Sequence, residues 1–423
     1  VFVIAVICMR FVADRAAVVI VLAGAVLIGL AAMSGPPNTS TDSARYAWDG
    51  IVQLHGISPY LHAPASHVLA DIRPSWLFPA PSGSGTAAHC VGSRVMATHD
   101  ISTHHLLCTT INRPKDPTIY PPMAELWFAL IRAVVPVTAT YWPMQLAGLV
   151  VSLGVTVGLL VVLRRSGRSP WWAALWAWCP LVASEAVTNS HVDVLGAALA
   201  TTGAVLVAYR RPVLGGIALG AATAVKLIPA IVYPPLLARL RNWWTVPVGI
   251  AFFGALYVPY VLSTGIKVLG YLPGYLNEEG YDAGTRYALV SLVAHGKGAS
   301  AVVGILLVVA AIIAWRLADP ARPWSAEVFM IGVTFLLITP RYPWYALLLI
   351  PFIVLSERWE WLGVGLAITI RQLHPSVHDY RWTLLAAIVV ILVVTLIRTR
   401  REDWRHWGRR LGLRPLSRRR TAA

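Results

Sequence analysis

AAVVIVLAGAVLIGLAAM (16–33) runs for eighteen residues without a charged side chain, and Asp14 and Arg15 stand just before it. As a helix, such a run covers about 27 Å at 1.5 Å per residue, close to the roughly 30 Å hydrocarbon core of a bilayer. Comparable runs recur at 142–163, 194–209, 245–262, 299–315 and 382–397. Shorter ones lie at 171–184, 213–225, 227–238, 327–339, 342–356 and 361–373, each bounded by charge, proline or aromatic residues. These read as short, tilted or broken spans. The 423 residues are 57% hydrophobic and 13% charged, with a mean hydropathy of +0.64. A soluble chain carries about a quarter charged residues, so a soluble protein is excluded. The fold expected is an all-α, polytopic transmembrane bundle of about 11–13 spans, forming one domain over 1–423. No small-residue cleavage site follows the first span, which reads as an uncleaved anchor.

Charge sets the orientation. With Arg10 and Arg15 cytoplasmic and each run crossing once, 22 of the 35 Lys and Arg fall inside and 13 outside. The net charge is then +15 inside and +1 outside. That is the positive-inside asymmetry, and it makes 34–120 the first extracytoplasmic loop and 398–423 a basic cytoplasmic tail. The formal charge of +16 therefore needs no nucleic-acid partner; the tail is expected to lie against anionic membrane lipids. The apolar stretch 123–137 contains Glu125 and Arg132. If it spanned, every later loop would change sides, so it reads as a helix at the outer interface.

On this topology carboxylates, cations and aromatics collect at one face. The first outer loop holds Asp42, Arg45, Tyr46 and Asp49; the next holds Glu185, His191 and Asp193; later loops hold Arg286, Arg341, Tyr342 and Trp344. Lys226 sits at the outer end of a helical hairpin. Ionisable residues at the margins of membrane helices are costly and are functional candidates. A carboxylate can take a proton from a hydroxyl, Lys and Arg can hold a departing phosphate, and Tyr and Trp can stack on a sugar. An interfacial belt accounts for most of the 18 Trp. For single positions the plainer readings are a turn at Asp49, a helix cap at Asp193 and a snorkelling Lys226.

The blocks TDSARYAWDGIVQLHGISPY (41–60), INRPKDPTIYPPMAELWF (111–128), WAWCPLVASEAVTNSHVDVLGAAL (176–199), GIALGAATAVKLIPAIVYPP (216–235), YLPGYLNEEGYDAGTRYALV (271–290) and LLITPRYPWYALLLIP (336–351) occur in order. Together they resemble the GT-C superfamily of membrane glycosyltransferases, and more narrowly the actinobacterial mannosyltransferases that use polyprenyl-phosphate-mannose. The resemblance implies a polyprenyl-phosphate sugar donor and a lipid or glycan acceptor. It also implies a catalytic Asp in the first outer loop. By position that Asp is Asp42, with Asp49 second. His191 and Asp193 match a second acidic site, and Lys226, Arg341 and Arg286 are candidates for the phosphate. The implied reaction is one inverting displacement with Asp42 as base. No Asp-x-Asp pair occurs in the outer loops, so a metal is not indicated and no cofactor is expected.

Residues 74–110 depart from that pattern. PAPSGSGTAAHCVGSRVMATHD (79–100) is rich in small residues and reads as a flexible lid or disordered loop. Cys90 and Cys108 face an oxidising compartment and are candidates for a disulfide. A zinc site from the same Cys and His residues lacks standard ligand spacing. Two other readings remain open from sequence: a transporter or flippase of lipid-linked sugars, and a non-catalytic binding relative. Against transport, the chain shows no clear internal repeat, and its charges gather at one face rather than mid-membrane.

Overall fold

Helix α1 (Asp14–Ala32) buries only Ala17, Val21, Ala25 and Gly29, one narrow stripe four residues apart. Its other faces are exposed and apolar, Val19 at 66% and Leu27 at 68%. In water such a surface would be untenable; against acyl chains it is ordinary. The same pattern marks α8 (Gly296–Leu317), which turns Ala299, Val303, Ala310 and Ala314 inward and leaves Ile305 and Val308 outside. The chain is a polytopic, all-α membrane protein. The computed structural model describes residues 1–281 and 283–410, with 400–410 in backbone only. Asp282 and the basic residues beyond 410 lie outside the described residues.

Between α1 and α8 lie α2 (Asp42–Leu54), α3 (Pro122–Ala133), α4 (Trp142–Arg165), α5 (Asp193–Ala208), α6 (Pro212–Val225) and α7 (Thr245–Thr264). After α8 come α9 (Trp324–Ile338), α10 (Leu362–Leu373) and α11 (Val377–Arg410). Five described helices are long and apolar enough to cross a bilayer, and six if a bent pair joining Val182–Thr188 to α5 counts as one. These are the six long runs of the sequence. The shorter runs form short helices, so by length and composition the count is about half the one expected. Proline is one reason: Pro229, Pro234 and Pro235 split 227–238 into the turns Ile228–Val232 and Tyr233–Leu236, and Pro343 and Pro351 shorten the segments after α9. Proline lacks the amide donor that continues a helix.

Small residues let the central helices meet. A Cβ on Gly220 of α6 would stand 2.5 Å from the Gly249 carbonyl oxygen of α7. This is the close backbone approach that replaces hydrophobic drive between helices in lipid.

The first loop is folded rather than disordered. Helix α2 packs on α3, where a Cβ at Gly50 would stand 2.5 Å from the Phe128 carbonyl oxygen. α3 is twelve residues, too short to cross, and turns Glu125 and Arg132 into the protein. Arg132, in its last turn, holds the loop that follows by donating to the carbonyls of Ala139, Pro136 and Val137 at 2.8, 2.9 and 3.1 Å.

The insertion also has structure, which corrects the expectation of a flexible lid. Strands β1 (Met96–His99) and β2 (Leu106–Thr109) pair antiparallel, and a disulfide joins Cys90 to Cys108. Arg73 donates to Asp100 Oδ2 at 3.3 Å, and Ile101 N–H donates to the Ala65 carbonyl at 3.0 Å. Burial pushes the Asp100 carboxyl up, but the N–H groups of Thr103 and Ser102 and the Arg73 guanidinium outweigh it and hold it at about 2. Covalent and ionic ties supply the order that a run of small residues could not supply by packing.

Candidate active site

The backbone after α4 does not run smoothly into α5. Residues Val182–Thr188 form a wide, five-residue-bonded turn, and the chain then bends by 112° into α5. Such π turns recur at functional sites because they displace side chains from the regular helical register. Ser190, at the bend, has φ +56, a left-handed conformation uncommon for a residue with a Cβ. The turn sits against Gly148 of α4, where any Cβ would collide with the Ala186 carbonyl oxygen. Asn189 Oδ1 accepts from the N–H groups of Asn38 and Thr39 at 2.8 and 2.9 Å, which ties the turn to the segment leading into α2.

This arrangement brings Glu185, His191 and Asp42 into line. His191 Nδ1 lies 3.6 Å from Asp42 Oδ2, and its Nε2 lies 3.3 Å from Glu185 Oε2. The imidazole is fully buried and stacks on Trp344, centroids 3.8 Å apart, with Tyr342 stacked beyond at 4.6 Å. Asp42 is less enclosed, its side chain 16% exposed, and its Oδ1 accepts from the Asn112 amide. Asp193 does not cap α5, as a plain reading of the sequence allows. Its two oxygens instead accept from Lys226 Nζ at 2.9 and 3.0 Å, and Lys226 also lies over the Tyr345 ring at 4.4 Å. Lys226 is thus held in place rather than snorkelling.

A cavity of ≈ 400 Å³ opens in front of these groups. Ser40, Thr41, Asp42, Arg94, Asn112 and Lys226 give its wall polar groups, and Leu227, Ile228, Val268, Leu269, Leu272 and Leu276 give it apolar ones. Tyr342 and Trp344 complete the wall. A cavity lined by both kinds of side chain can accommodate a polar headgroup carried on a lipid.

Other sequence candidates sit elsewhere. Asp49 lies within α2, not in a turn, and is buried away from the cavity; Arg45 Nε donates to both its oxygens at 3.0 Å. Arg45 also donates to the carbonyls of Arg113 and Asp116, so the pair locks α2 to the loop before α3. Glu125 shares this interior, accepting from Thr118 Oγ1 at 2.6 Å and from Gln53 Nε2 at 2.9 Å. Burial, with the Asp49 charge beside it, holds the Glu125 carboxyl well above the usual range. Tyr46 packs between Tyr120 and Phe128, with centroids 5.1 and 4.4 Å away. Arg286 is buried and ion-paired with Glu279, outside the cavity wall. Arg341 is half-buried and lies near enough to Arg286 and Arg371 to interact through charge, but it too is not part of the wall.

Asn112 and Arg94 were missed by sequence reasoning. Asn112 stands inside a quoted block, yet its bond to Asp42 spans 70 positions. Arg94 reaches the site because its guanidinium donates to the carbonyls of Pro37 and Ser40 at 3.2 and 2.7 Å. Among the described residues no three of His, Cys, Asp and Glu converge as a metal-ligand set.

The sequence model of glycosyltransferase family 87 matches residues 118–340, more than half of the chain. No curated protein and no solved structure matches. The matched segment contributes Glu185, His191, Asp193 and Lys226; Asp42 and Trp344 reach the same site from outside it.

Proposed function

The chain belongs to glycosyltransferase family 87 and is a multi-pass membrane glycosyltransferase; from that premise we propose that it transfers a hexose, mannose by preference, from a polyprenyl-phosphate donor. The acceptor is a lipid or polysaccharide hydroxyl, and transfer takes place at the extracytoplasmic face. The observation that carries this reading is a single cavity lined by both charged and apolar side chains, with Asp42 and Lys226 among them. Asp42 takes the acceptor's proton as the hydroxyl attacks the anomeric carbon. Lys226, fixed by Asp193, faces the departing phosphate and offsets its growing charge. Tyr342, stacked on the face of Trp344 opposite His191, offers a flat surface to the sugar. The whole of 1–423 acts as one domain, in which loop 34–120 brings the base.

The test is direct. The full chain in lipid nanodiscs, given synthetic polyprenyl-phosphate-mannose, is expected to release polyprenyl phosphate and to leave a mannose nucleotide untouched. If labelled donor crosses sealed vesicles without any release of polyprenyl phosphate, the protein is a carrier and the reading fails.

The orientation is tested separately. The +15 against +1 charge split puts Cys90 outside and the basic tail inside. Reporters fused at Cys90 and at Pro415 are expected on opposite sides of the membrane. Finding both on one side would overturn the topology.

A further inference from the structure

His191 is unusual in having both ring nitrogens buried and without a hydrogen-bond partner, although a carboxylate oxygen lies at 3.6 Å from one and 3.3 Å from the other. Buried polar atoms left unpaired are costly and rare, and where they persist they call for a role. Packing alone does not supply one, because a phenylalanine would stack on Trp344 without that cost. The surroundings also hold the ring in place. Its backbone N–H donates to the Glu185 carbonyl at 2.9 Å, Ser190 before it is held left-handed, and Trp344 covers one face. Strain of this kind persists where the neighbouring structure fixes it, and it concentrates at working sites.

Building on the transfer reaction proposed above, we infer that His191 is a positioning residue that orients Asp42 and relays the acceptor's proton away from it, with Glu185 as the far partner. The acceptor oxygen bonds to the anomeric carbon while the bond from that carbon to the phosphate oxygen breaks, its electron pair leaving on polyprenyl phosphate. The hydroxyl proton passes to Asp42 and then to His191 Nδ1. The resulting imidazolium lies between two carboxylates, which stabilise its charge, and when product leaves its Nε2 proton passes to Glu185 Oε2 and out by way of Thr39 to water in the cavity. Thr39 extends the line: it stands in the cavity wall, and its hydroxyl donates to Glu185 Oε2 at 3.4 Å. Asp42 thereby returns to its ionised form before product leaves. The chemistry needs a group that binds a proton on one side and is neutralised on the other, and an imidazole between two carboxylates is such a group.

The experiment uses the full chain in nanodiscs with synthetic polyprenyl-phosphate-mannose and reads release of polyprenyl phosphate. His191→Phe keeps a ring against Trp344 and removes both nitrogens; kcat is expected to fall by about 10²-fold. The donor KM should stay within about twofold, because the ring does not face the donor phosphate. His191→Gln retains one hydrogen-bonding arm, should fall between, and covers the case in which the phenylalanine variant does not fold. His191→Gly leaves a ring-sized space beside Asp42, and added imidazole should restore part of its rate. A parental kcat in both the phenylalanine and glutamine variants overturns the relay. So does a loss that raises donor KM in step and that imidazole does not relieve, since that is the behaviour of a packing residue. The relay and the reaction fail separately: Asp42→Asn inactive with His191→Phe active discards the relay alone, whereas Asp42→Asn at the parental rate discards the reaction it serves.

Discussion

Asp42→Asn lowers sugar transfer by about 10²–10⁴-fold, the usual range for removing a general base, while the protein still folds and still takes up its donor. The reason for separating the two effects is structural. Asp42 accepts from the Asn112 amide through Oδ1, and an amide oxygen in the same place accepts that bond equally well. Its own N–H donates to Ser40 Oγ at 3.0 Å and is untouched by the substitution. Only Oδ2, the oxygen that faces His191, loses the ability to take a proton. The measurement is the rate of polyprenyl phosphate release beside the donor's dissociation constant. Transfer at the parental rate would overturn the mechanism; loss of donor binding in parallel with the rate would show that Asp42 holds the donor rather than activates the acceptor.

Arg45→Met has the second large effect, on stability rather than on chemistry. The substitution keeps most of the aliphatic stem but strands Asp49, which is 1% exposed, beside Glu125, which is 0% exposed. Removing one partner of a buried ion pair costs about 3–5 kcal/mol, although Asp49 escapes part of that by taking up a proton. It also cuts the guanidinium bonds to the carbonyls of Arg113 and Asp116, so the loop carrying Asn112 loosens with it. Thermal unfolding should show a large fall in Tm, and a second change, Asp49→Leu, should recover much of it. An unchanged Tm would refute the structural role. Asp49→Asn in an otherwise parental chain should lower stability with a modest effect on kcat, and a kcat loss as deep as that of Asp42→Asn would move the base to Asp49.

The membrane architecture was legible in the sequence because lipid-facing helices have no need to alternate. α1 and α8 expose apolar residues on nearly every face, and a bare hydropathy reading finds them. The short segments were harder, since proline and glycine interrupt them within the length of one crossing. At the site, the sequence pointed to Asp42, His191, Asp193 and Lys226 but could not pair them. Asp42 meets Asn112 across 70 positions and His191 across 149, and the second pairing depends on a 112° bend after a π turn. Asp42 and Asp49 were also hard to rank. They lie seven residues apart, almost two helical turns, yet Asp42 borders the cavity while Asp49 faces α3. The order of the insertion was only partly legible: Cys90 and Cys108 were readable as a disulfide pair, but small residues suggest freedom, and the meeting of Arg73 with Asp100 shows only in space.

The contact between Gly148 and the π turn carries a consequence for inherited variation. α4 contributes none of the charged groups around the cavity, and a survey of chemically active side chains would pass over it. Yet a single methyl group at position 148 would press on the Ala186 carbonyl, next to Glu185 and a few residues before His191. Alanine is the mildest change that chance can make to a membrane helix, and here it falls on the backbone that sets the spacing of the site. Tolerance along this chain is therefore not graded by distance from the chemistry: a conservative change on the buried face of a membrane helix can be as damaging as one at a carboxylate.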